Sequence, residues 1–311
     1  MARPAGAVSH TLQDSLPPPV DNRRRFGPLD LAIVLCVAAA CVYVGWRAQT
    51  VLHYNWNWAP VWNFIVRYDA AQDSWVPNLI LKGLWTTVRV SIWAALLAAV
   101  IGGAMGMARV SQSLFLRLVA RSYVEAIRNV PPLVFIFVVY FFLTSQIVPA
   151  LGLDTWARGA SPQTRAAIEL LLGPPQFLPA LVSAVVCLAL FEGAYVAEIV
   201  RGGIQSIDKG QWEAAKSMGL ERGRILRLVI LPQAIQRTVP PLAGQFISLV
   251  KDSSIVSLIS IQDLTFLGNE VAATTTRIFE VWIVVAFLYF LMCWSLSLMF
   301  ARLERRLGRF K

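Results

Sequence analysis

The chain has 311 residues, of which 57% are hydrophobic and only 15% are charged, and its formal net charge is +10 at pH 7. Ordinary soluble domains carry about 25% charged residues, so this composition excludes an ordinary soluble domain and favours several membrane-spanning segments. A surplus of Lys and Arg beside long apolar runs more often records membrane orientation than nucleic-acid binding, and we expect no nucleic-acid partner.

The N-terminal part of the chain divides into three segments. Residues 1–28 contain a triple proline, a triple arginine and few apolar side chains, which predicts a disordered cytoplasmic tail. The apolar run 29–46 follows without a persuasive cleavage site, so we predict an additional N-terminal transmembrane helix rather than a signal peptide. Residues 47–78 are rich in Trp and Tyr, which is typical of a periplasmic segment at the outer membrane interface.

Five further spans complete a predicted total of six, so we expect an all-α integral membrane protein in contact with the lipid bilayer. Four of the five follow from apolar length and one from a family resemblance described below; they are placed at 79–108, 122–147, 179–202, 239–261 and 279–301. With the N-terminus inside, 19 of the 28 Lys and Arg residues lie in inner segments, 6 in outer segments or at their edge, and 3 within spans. This bias predicts that both termini, including a tail at 306–311, are cytoplasmic.

The polar stretch with the clearest helix start and stop signals lies between two spans and covers residues 203–238. We call it the coupling loop. Asp208 and Gln211 have the spacing of a capping box, so a helix should begin near Lys209. Gly219 should end that helix, because glycine readily adopts the left-handed conformation of a helix terminus.

A second helix is predicted in the same loop from about residue 221 to residue 231, where Pro232 should end it. Its apolar side chains fall on one stripe and its arginines elsewhere, which is typical of a helix at a surface. Two short helices in a cytoplasmic loop would form a docking element for another protein.

The coupling loop carries Glu213-Ala214-Ala215, then Gly219, then Val229-Ile230-Leu231-Pro232. This arrangement is similar to the EAA signature of permease subunits of binding-protein-dependent ABC importers, with Val where that signature usually has Ile. Residues 195–219 resemble the polar amino-acid branch of the family almost word for word. Three more segments match that branch in order: 84–91, 123–133 and 251–264. Within them, Asn129-Val130-Pro131 stands where the branch commonly has Gly-Thr-Pro.

The resemblance implies a type I ABC importer permease core over residues 79–305, in a bacterial inner membrane, that imports polar or charged amino acids by alternating access. It further implies two ABC ATPase subunits that carry ATP and Mg, a second permease copy or a paralogue, and a periplasmic amino-acid-binding protein. Contact with the ATPase is assigned, by resemblance, to Glu213, Ala214, Ala215, Gly219, Leu231 and Pro232. Which amino acid is carried does not follow.

The sequence contains no pattern typical of catalysis or metal binding. It lacks the phosphate-binding pattern GxxxxGK[ST], and its two histidines, His10 and His53, have no partners for a triad or a metal site. We therefore expect a transporter subunit that is not an enzyme and holds no cofactor. The alternatives are an importer of another small solute, a secondary transporter or channel, and a membrane enzyme. A secondary transporter should show internal repeats, and an enzyme should show converging acids or a Ser-His pair within the spans.

Ionisable side chains inside spans need partners or a watery cavity, because each costs on the order of several kcal/mol in lipid. The candidates for the solute path are Glu192, Lys251, Asp252 and Ser253, with the shallower Glu125 and Arg128. Glu125 and Arg128 are either part of the path or a structural i,i+3 pair. Lys251 and Asp252 point to different helix faces, so either one faces the path or each has a partner on another span.

Overall fold

The structure, a computed structural model, describes residues 27–52, 54–71 and 73–307 and is 84% helical. It divides into two compact units, one that ends at Trp56 and one that begins at Asn57, and each is described by itself. The predicted tails at 1–28 and 306–311 lie almost entirely outside the described residues, as does His53.

The first unit contains one helix, α1 (Pro28–Leu52), whose apolar part Pro28–Arg47 is long enough to cross a membrane. Proline is favourable in the first turn of a helix because a backbone N–H at that position has no acceptor within the helix, so its absence costs nothing. The Asp30 carboxylate accepts a hydrogen bond from the Gly27 backbone N–H at 2.9 Å, which caps the same turn. The described side chains of α1 are exposed, as expected for a helix that faces lipid.

The second unit begins with a short segment whose elements are α2 (Ala59–Ile65), β1 (Val66–Asp69) and β2 (Ser74–Pro77). The two strands pair antiparallel, with Tyr68 opposite Trp75 and their rings edge to face at 5.6 Å. Val61 of α2 is buried in a cluster with Ile80 and Leu264, which fixes the segment to the helical body. The sequence predicted an aromatic segment here but not the hairpin.

The helical body then follows in chain order. Its longer helices are α3 (Leu79–Arg109), α4 (Leu114–Arg128), α9 (Leu178–Gln205), α12 (Leu231–Asp252), α13 (Leu264–Thr275) and α14 (Ile278–Leu307). Its shorter helices are α5 (Pro132–Val139), α6 (Ser145–Ala150), α7 (Leu153–Gly159), α8 (Pro162–Leu171), α10 (Lys209–Ser217) and α11 (Arg222–Ile225). Tyr140–Thr144 and Leu226–Ile230 are π-helical, and Pro175–Phe177 and Ser253–Ile259 are 3₁₀-helical.

Six helical stretches among the described residues are long and apolar enough to cross a membrane, in agreement with the predicted number. They are Pro28–Arg47, Leu79–Arg109, Pro132–Gly159, Pro175–Gln205, Arg222–Ile259 and Ile278–Arg305. The prediction of an all-α membrane protein is confirmed. Among the described residues, the short hairpin of β1 and β2 is the one β-structure, and the sequence did not predict it.

The third span was predicted wrongly at its start. Residues 122–128 belong to α4, a separate amphipathic helix, and the apolar stretch begins at Pro132. Two consecutive prolines cause the break, since Pro131 disfavours a helical conformation in the preceding residue and its ring cannot fit a continuous helix. The pattern of apolar residues runs across this break, which is why apolar length alone placed the span too early.

The helix at the end of the coupling loop was also predicted wrongly, because Pro232 does not end it. The chain passes from α11 through the π-helical turn at residues 226–230 directly into α12, with Pro232 in the first turn. Proline is tolerated there because it has no N–H to donate and the π-helical turn before it already interrupts the regular i→i−4 hydrogen bonds. As a result the fifth apolar stretch runs over Arg222–Ile259 rather than 239–261.

Helices α3 and α9 pack more closely than any other pair of helices described in the body. At Gly102 an added Cβ would collide with the Val196 side chain and lie 2.7 Å from the Gly193 carbonyl oxygen, so only glycine fits. Gly203, near the end of α9, likewise faces the Thr238 methyl group of α12. Such close backbone approach is typical of helix pairs in membranes, where small residues maximise van der Waals contact.

Candidate functional site

The first helix of the coupling loop is confirmed as α10, and Asp208 caps it. The Asp208 carboxylate accepts a hydrogen bond from the Gly210 backbone N–H at 2.6 Å. The predicted reciprocal half of the capping box is absent from the hydrogen bonds of this segment. The Gln211 side chain instead accepts from the Gln233 amide at 3.3 Å, which ties α10 to α12.

Gly219 ends the turn after α10 with φ of +74°, as the sequence predicted. The Leu220 N–H donates to the Ala215 carbonyl at 3.3 Å and the Gly219 N–H to the Lys216 carbonyl at 3.0 Å, so the free carbonyls of the helix end are satisfied. Nothing lies within 4 Å of a Cβ added at Gly219, so its requirement for glycine is conformational.

The residues assigned to ATPase contact do not all lie on the surface. Glu213, Ala214 and Pro232 are exposed, whereas Ala215 is buried and Leu231 is partly buried. Those two join a core inside the loop whose other buried members are Ile204, Ile207, Ile225, Ile230 and Ala234. Ala215 therefore holds the loop together, and the open face of α10 is formed by its neighbours.

Three large apolar side chains of the loop are exposed: Met218, Leu228 and Ile235. Met218 and Ile235 were not singled out from the sequence, whereas Leu228 belongs to the apolar stripe that the sequence predicted for the second helix together with Ile225, which is buried. Met218 is 79% exposed and directly precedes the Gly219 turn, so it projects from the end of α10. Single exposed apolar side chains are common on protein surfaces, so these residues give no sequence signal for a protein contact by themselves.

The coupling loop is fixed to the ends of two spans. The Arg237 guanidinium on α12 donates to the Ser206 carbonyl at the end of α9. The Arg222 guanidinium lies 5.7 Å from the centre of the Trp212 ring, which joins α11 to α10. These contacts tie α10 to α11 and the end of α9 to α12.

The second candidate site lies between α9 and α12, where Glu192 is fully buried. Its Oε2 accepts a hydrogen bond from the Gln245 amide at 2.6 Å, and its carboxyl group also interacts with that of Asp252. Glu192 and Gln245 line a cavity of about 230 Å³ whose other walls are apolar, among them Ala98 and Phe246. We call this the Glu192 cavity.

The other path candidates lie apart from this cavity. Lys251 is exposed, and Ser253 is buried with its hydroxyl donating to the Val250 carbonyl at 2.8 Å. The sequence argument that Lys251 and Asp252 point to different helix faces agrees with this arrangement. Of the four candidates from residue 192 to residue 253, only Glu192 and Asp252 converge.

The predicted Glu125–Arg128 pair is absent among the described ion pairs. Glu125 instead accepts from the Arg121 guanidinium one turn earlier, at 2.7 Å. Arg128 lies 3.9 Å from Glu198 of α9 and 5.3 Å from the centre of the Tyr195 ring. Both residues belong to α4, outside the apolar stretches, so neither lines the Glu192 cavity.

A cluster around Glu198 was missed in the sequence. Its carboxylate pairs with Arg109 at the end of α3 and with Arg201 on its own helix, and it lies near Arg128 of α4. Glu198 and Arg201 are three residues apart, a spacing that brings helix side chains together and could have indicated the pair. The cluster joins three helices at the same end of the body as the coupling loop.

Arg89, inside α3, was not among the candidate residues, and the structure gives it clear partners. Its guanidinium donates to the Leu170 carbonyl at 3.0 Å and to the Glu169 carbonyl at 2.7 Å, and the Trp93 indole donates to the Leu171 carbonyl at 3.1 Å. These are the last carbonyls of α8, where a cation interacts favourably with the helix dipole. The pair thus fixes the α7–α8 segment to α3.

Comparison with known proteins places this architecture. A family model described as "Binding-protein-dependent transport system inner membrane component" matches residues 98–309. The L-cystine transport system permease protein TcyB of Bacillus subtilis is 32% identical over 246 residues, which are 79% of this chain and 93% of the relative. The glutamine transport system permease protein GlnP of Escherichia coli K12 is 32% identical over 253 residues, which are 81% and 98%.

Two solved structures have the same fold. The crystal structure of an amino acid ABC transporter with histidines is 33% identical with a TM-score of 0.59, over 73% of this chain and 94% of that one. An inward-facing form of the MetNI methionine ABC transporter is 19% identical with a TM-score of 0.56, over 74% and 96%, and supports the fold alone.

The resemblance found in the coupling loop is thereby confirmed over most of the chain. The six apolar stretches agree with a multi-pass protein of the inner membrane. The chain belongs to the family of inner membrane components of binding-protein-dependent transport systems.

Proposed function

We propose that this chain carries polar amino acids from the periplasm to the cytoplasm along a path that includes the Glu192 cavity. One observation carries the proposal, namely a fully buried carboxylate, hydrogen-bonded to Gln245 and close to Asp252, in an otherwise apolar cavity of about 230 Å³. That volume equals about eight water molecules at roughly 30 Å³ each, which is the scale of a small amino acid. The relatives named for glutamine and cystine support the same substrate class.

The chemistry of the cavity favours one end of the solute. Glu192 lines the cavity and its carboxyl group interacts with that of Asp252, whereas neither Asp252 nor the exposed Lys251 is among the lining residues. Two neighbouring acids in an apolar environment repel each other when both are charged, and a cation placed between them relieves that repulsion. We therefore propose that the pair receives the ammonium group, and that neutral and cationic amino acids are carried in preference to acidic ones.

The test is uptake by the complete complex, with its ATPase and binding-protein partners, in proteoliposomes loaded with ATP. Labelled glutamine, arginine, cystine and glutamate would be compared in the parent protein and in Glu192→Gln. We expect the substitution to raise KM for the preferred solute about tenfold or more while the complex stays assembled. Glu270→Gln, at an exposed acid of α13, is the matched control and should leave uptake unchanged.

Four outcomes would contradict parts of this proposal. Unchanged KM for every amino acid in an assembled Glu192→Gln complex would exclude Glu192 from the path. Loss of assembly without any change in KM would make Glu192 a structural residue. Preference for glutamate would reverse the proposed charge selectivity, and uptake without ATP would favour a secondary transporter or a channel.

The chain is a transport component, and ATP hydrolysis belongs to a separate subunit. We propose that the exposed Glu213, Ala214, Met218 and Pro232 contact that subunit, while Ala215 and Leu231 act from inside the loop and the Gly219 turn sets the angle between its helices. The full assembly would hold two ATPase subunits with ATP and Mg, a second copy of this chain or a paralogue, and a periplasmic amino-acid-binding protein. The distribution of Lys and Arg supports both termini in the cytoplasm.

A further inference from the structure

Helix α4 has three distinct faces. Its buried face, formed by Ala120, Val124 and Ile127, packs against the helical body. A second face carries exposed apolar side chains: Leu114, Phe115, Leu118 and Val119. A third face carries the charged side chains at successive i,i+3 and i,i+4 positions: Arg117, Arg121, Glu125 and Arg128. Phe115 alone is 72% exposed, so the apolar face is uncovered within this chain.

The connections of α4 place it at one surface of the membrane. The chain enters α4 four residues after the span α3 ends at Arg109, and it leaves α4 three residues before the next apolar stretch begins at Pro132. Both ends of α4 are therefore joined to the ends of membrane spans on the same side. Arg109 and Arg128 both reach Glu198 in the inner part of α9, so this side is also that of the coupling loop.

The charges of α4 leave a cationic surplus. Glu125 pairs with Arg121, but both side chains are more than half exposed, so water weakens the pair. Arg117 donates only to the Ser111 carbonyl at 3.3 Å, and no carboxylate pairs with it among the described residues. Arg128 lies near Glu198, which is already shared by two other arginines. Arginine presents a planar fork of donors that matches the oxygens of a phosphate group.

We propose that the Arg117–Arg121 face of α4 binds the headgroup of an anionic phospholipid. Phe115, Leu118 and Val119 enter the acyl region beside that headgroup, which removes their exposed apolar surface from water. An amphipathic helix with arginines next to an apolar face binds at the membrane interface in this way, through apolar burial together with attraction to anionic lipid. The proposal is independent of which solute the chain carries.

The test measures the binding of defined lipids to the purified full-length chain. Native mass spectrometry monitors the binding while phosphatidylglycerol or phosphatidylcholine is titrated in. We expect phosphatidylglycerol to bind more tightly than phosphatidylcholine, and the double variant Arg117→Gln, Arg121→Gln to weaken its binding about tenfold or more. The matched control is Arg158→Gln with Arg165→Gln, which removes two arginines from α7 and α8. This control should retain the affinity for phosphatidylglycerol.

Arg117→Gln alone keeps the test decisive if the double variant is unstable, because Arg117 contributes only one long hydrogen bond to the fold. This single variant should still weaken phosphatidylglycerol binding severalfold. Equal binding of the two lipids, or unchanged affinity in Arg117→Gln, would overturn the proposal. Loss of the ATPase partner with unchanged lipid binding would assign the face to a protein contact and would also overturn it.

Discussion

Glycine is required in both the α3–α9 interface and the coupling loop, but the physical reasons differ. At Gly102 the backbone is ordinary helix and the neighbours leave no room for a Cβ, whereas at Gly219 there is open space and the backbone has a positive φ. The first requirement is set by a helix 91 positions away in the chain, where Gly193 lies. The second is set by the local turn. Interior positions of this protein therefore depend on distant partners, and loop positions depend on their own backbone.

The two glutamates of the candidate sites differ in the same manner. Glu192 has its partners on α12, at Gln245 and Asp252, while Glu213 is exposed on the surface of α10. A buried carboxyl group without a partner would be costly, whereas water solvates an exposed one. Substitutions in the interior should therefore have larger effects on folding, and substitutions in the loop should affect coupling more than folding.

The largest effect should come from Gly102→Val compared with Gly103→Val. A side chain at position 102 would overlap Val196 and the Gly193 carbonyl, and overpacking of this kind costs about 1–3 kcal/mol or more. Nothing lies within 4 Å of a Cβ at Gly103, so its substitution should be tolerated. We expect Gly102→Val to lose monodisperse protein in size-exclusion chromatography while Gly103→Val retains it. Equal behaviour of the two variants would refute close α3–α9 packing at this position.

An effect of comparable size, seen only as a pH dependence, is expected at Asp263, which combines burial with a local cap. Burial raises the pKa of this carboxyl group to about 6 from its ordinary value of 3.8, even though the Phe266 N–H donates to it at 2.8 Å. The folded state therefore holds the proton more tightly than the unfolded state does. Its contribution to stability is greatest below about pH 4 and decreases by about 3 kcal/mol as the pH rises through 6.

Thermal unfolding of the purified protein between pH 4 and pH 7 would measure this dependence. Asp263→Asn keeps an acceptor for the Phe266 N–H but removes the titration, so the pH dependence should become shallower than in the parent protein. Identical pH profiles for the two proteins would mean that Asp263 ionises as readily in the folded state as in water.

The smallest effect on folding should come from Gly219→Val, with Gly223→Val as the control. A β-branched residue at positive φ costs about 1–2 kcal/mol, and relief of that strain would change the angle between α10 and α11. Gly223 also has no atom within 4 Å of an added Cβ, but its φ is not positive. We expect Gly219→Val to insert normally yet lose most solute-stimulated ATPase activity of the complex. Full activity in Gly219→Val would show that the turn does not govern coupling.

Several features could be read from the sequence because neighbouring residues produce them. Apolar length gave five of the six spans and the family resemblance gave the sixth, while the Asp208 and Gly219 signals gave both ends of α10. Errors arose where a signal had two meanings. Pro232 both ends helices and begins them, and the apolar run before Pro131 could belong to a span or to the amphipathic α4.

The sequence by itself determined both ends of α10 and, together with the family resemblance, the number of apolar stretches and the transporter family. Only the tertiary structure decided that Glu192 meets Gln245 and Asp252, that Ala215 is interior, and that Glu198 gathers arginines from three helices. Helix length and caps arise from interactions within a few residues, which composition and spacing record. The partner of a buried charge depends on how helices pack, and this is set by the combined shape of side chains far apart in the chain.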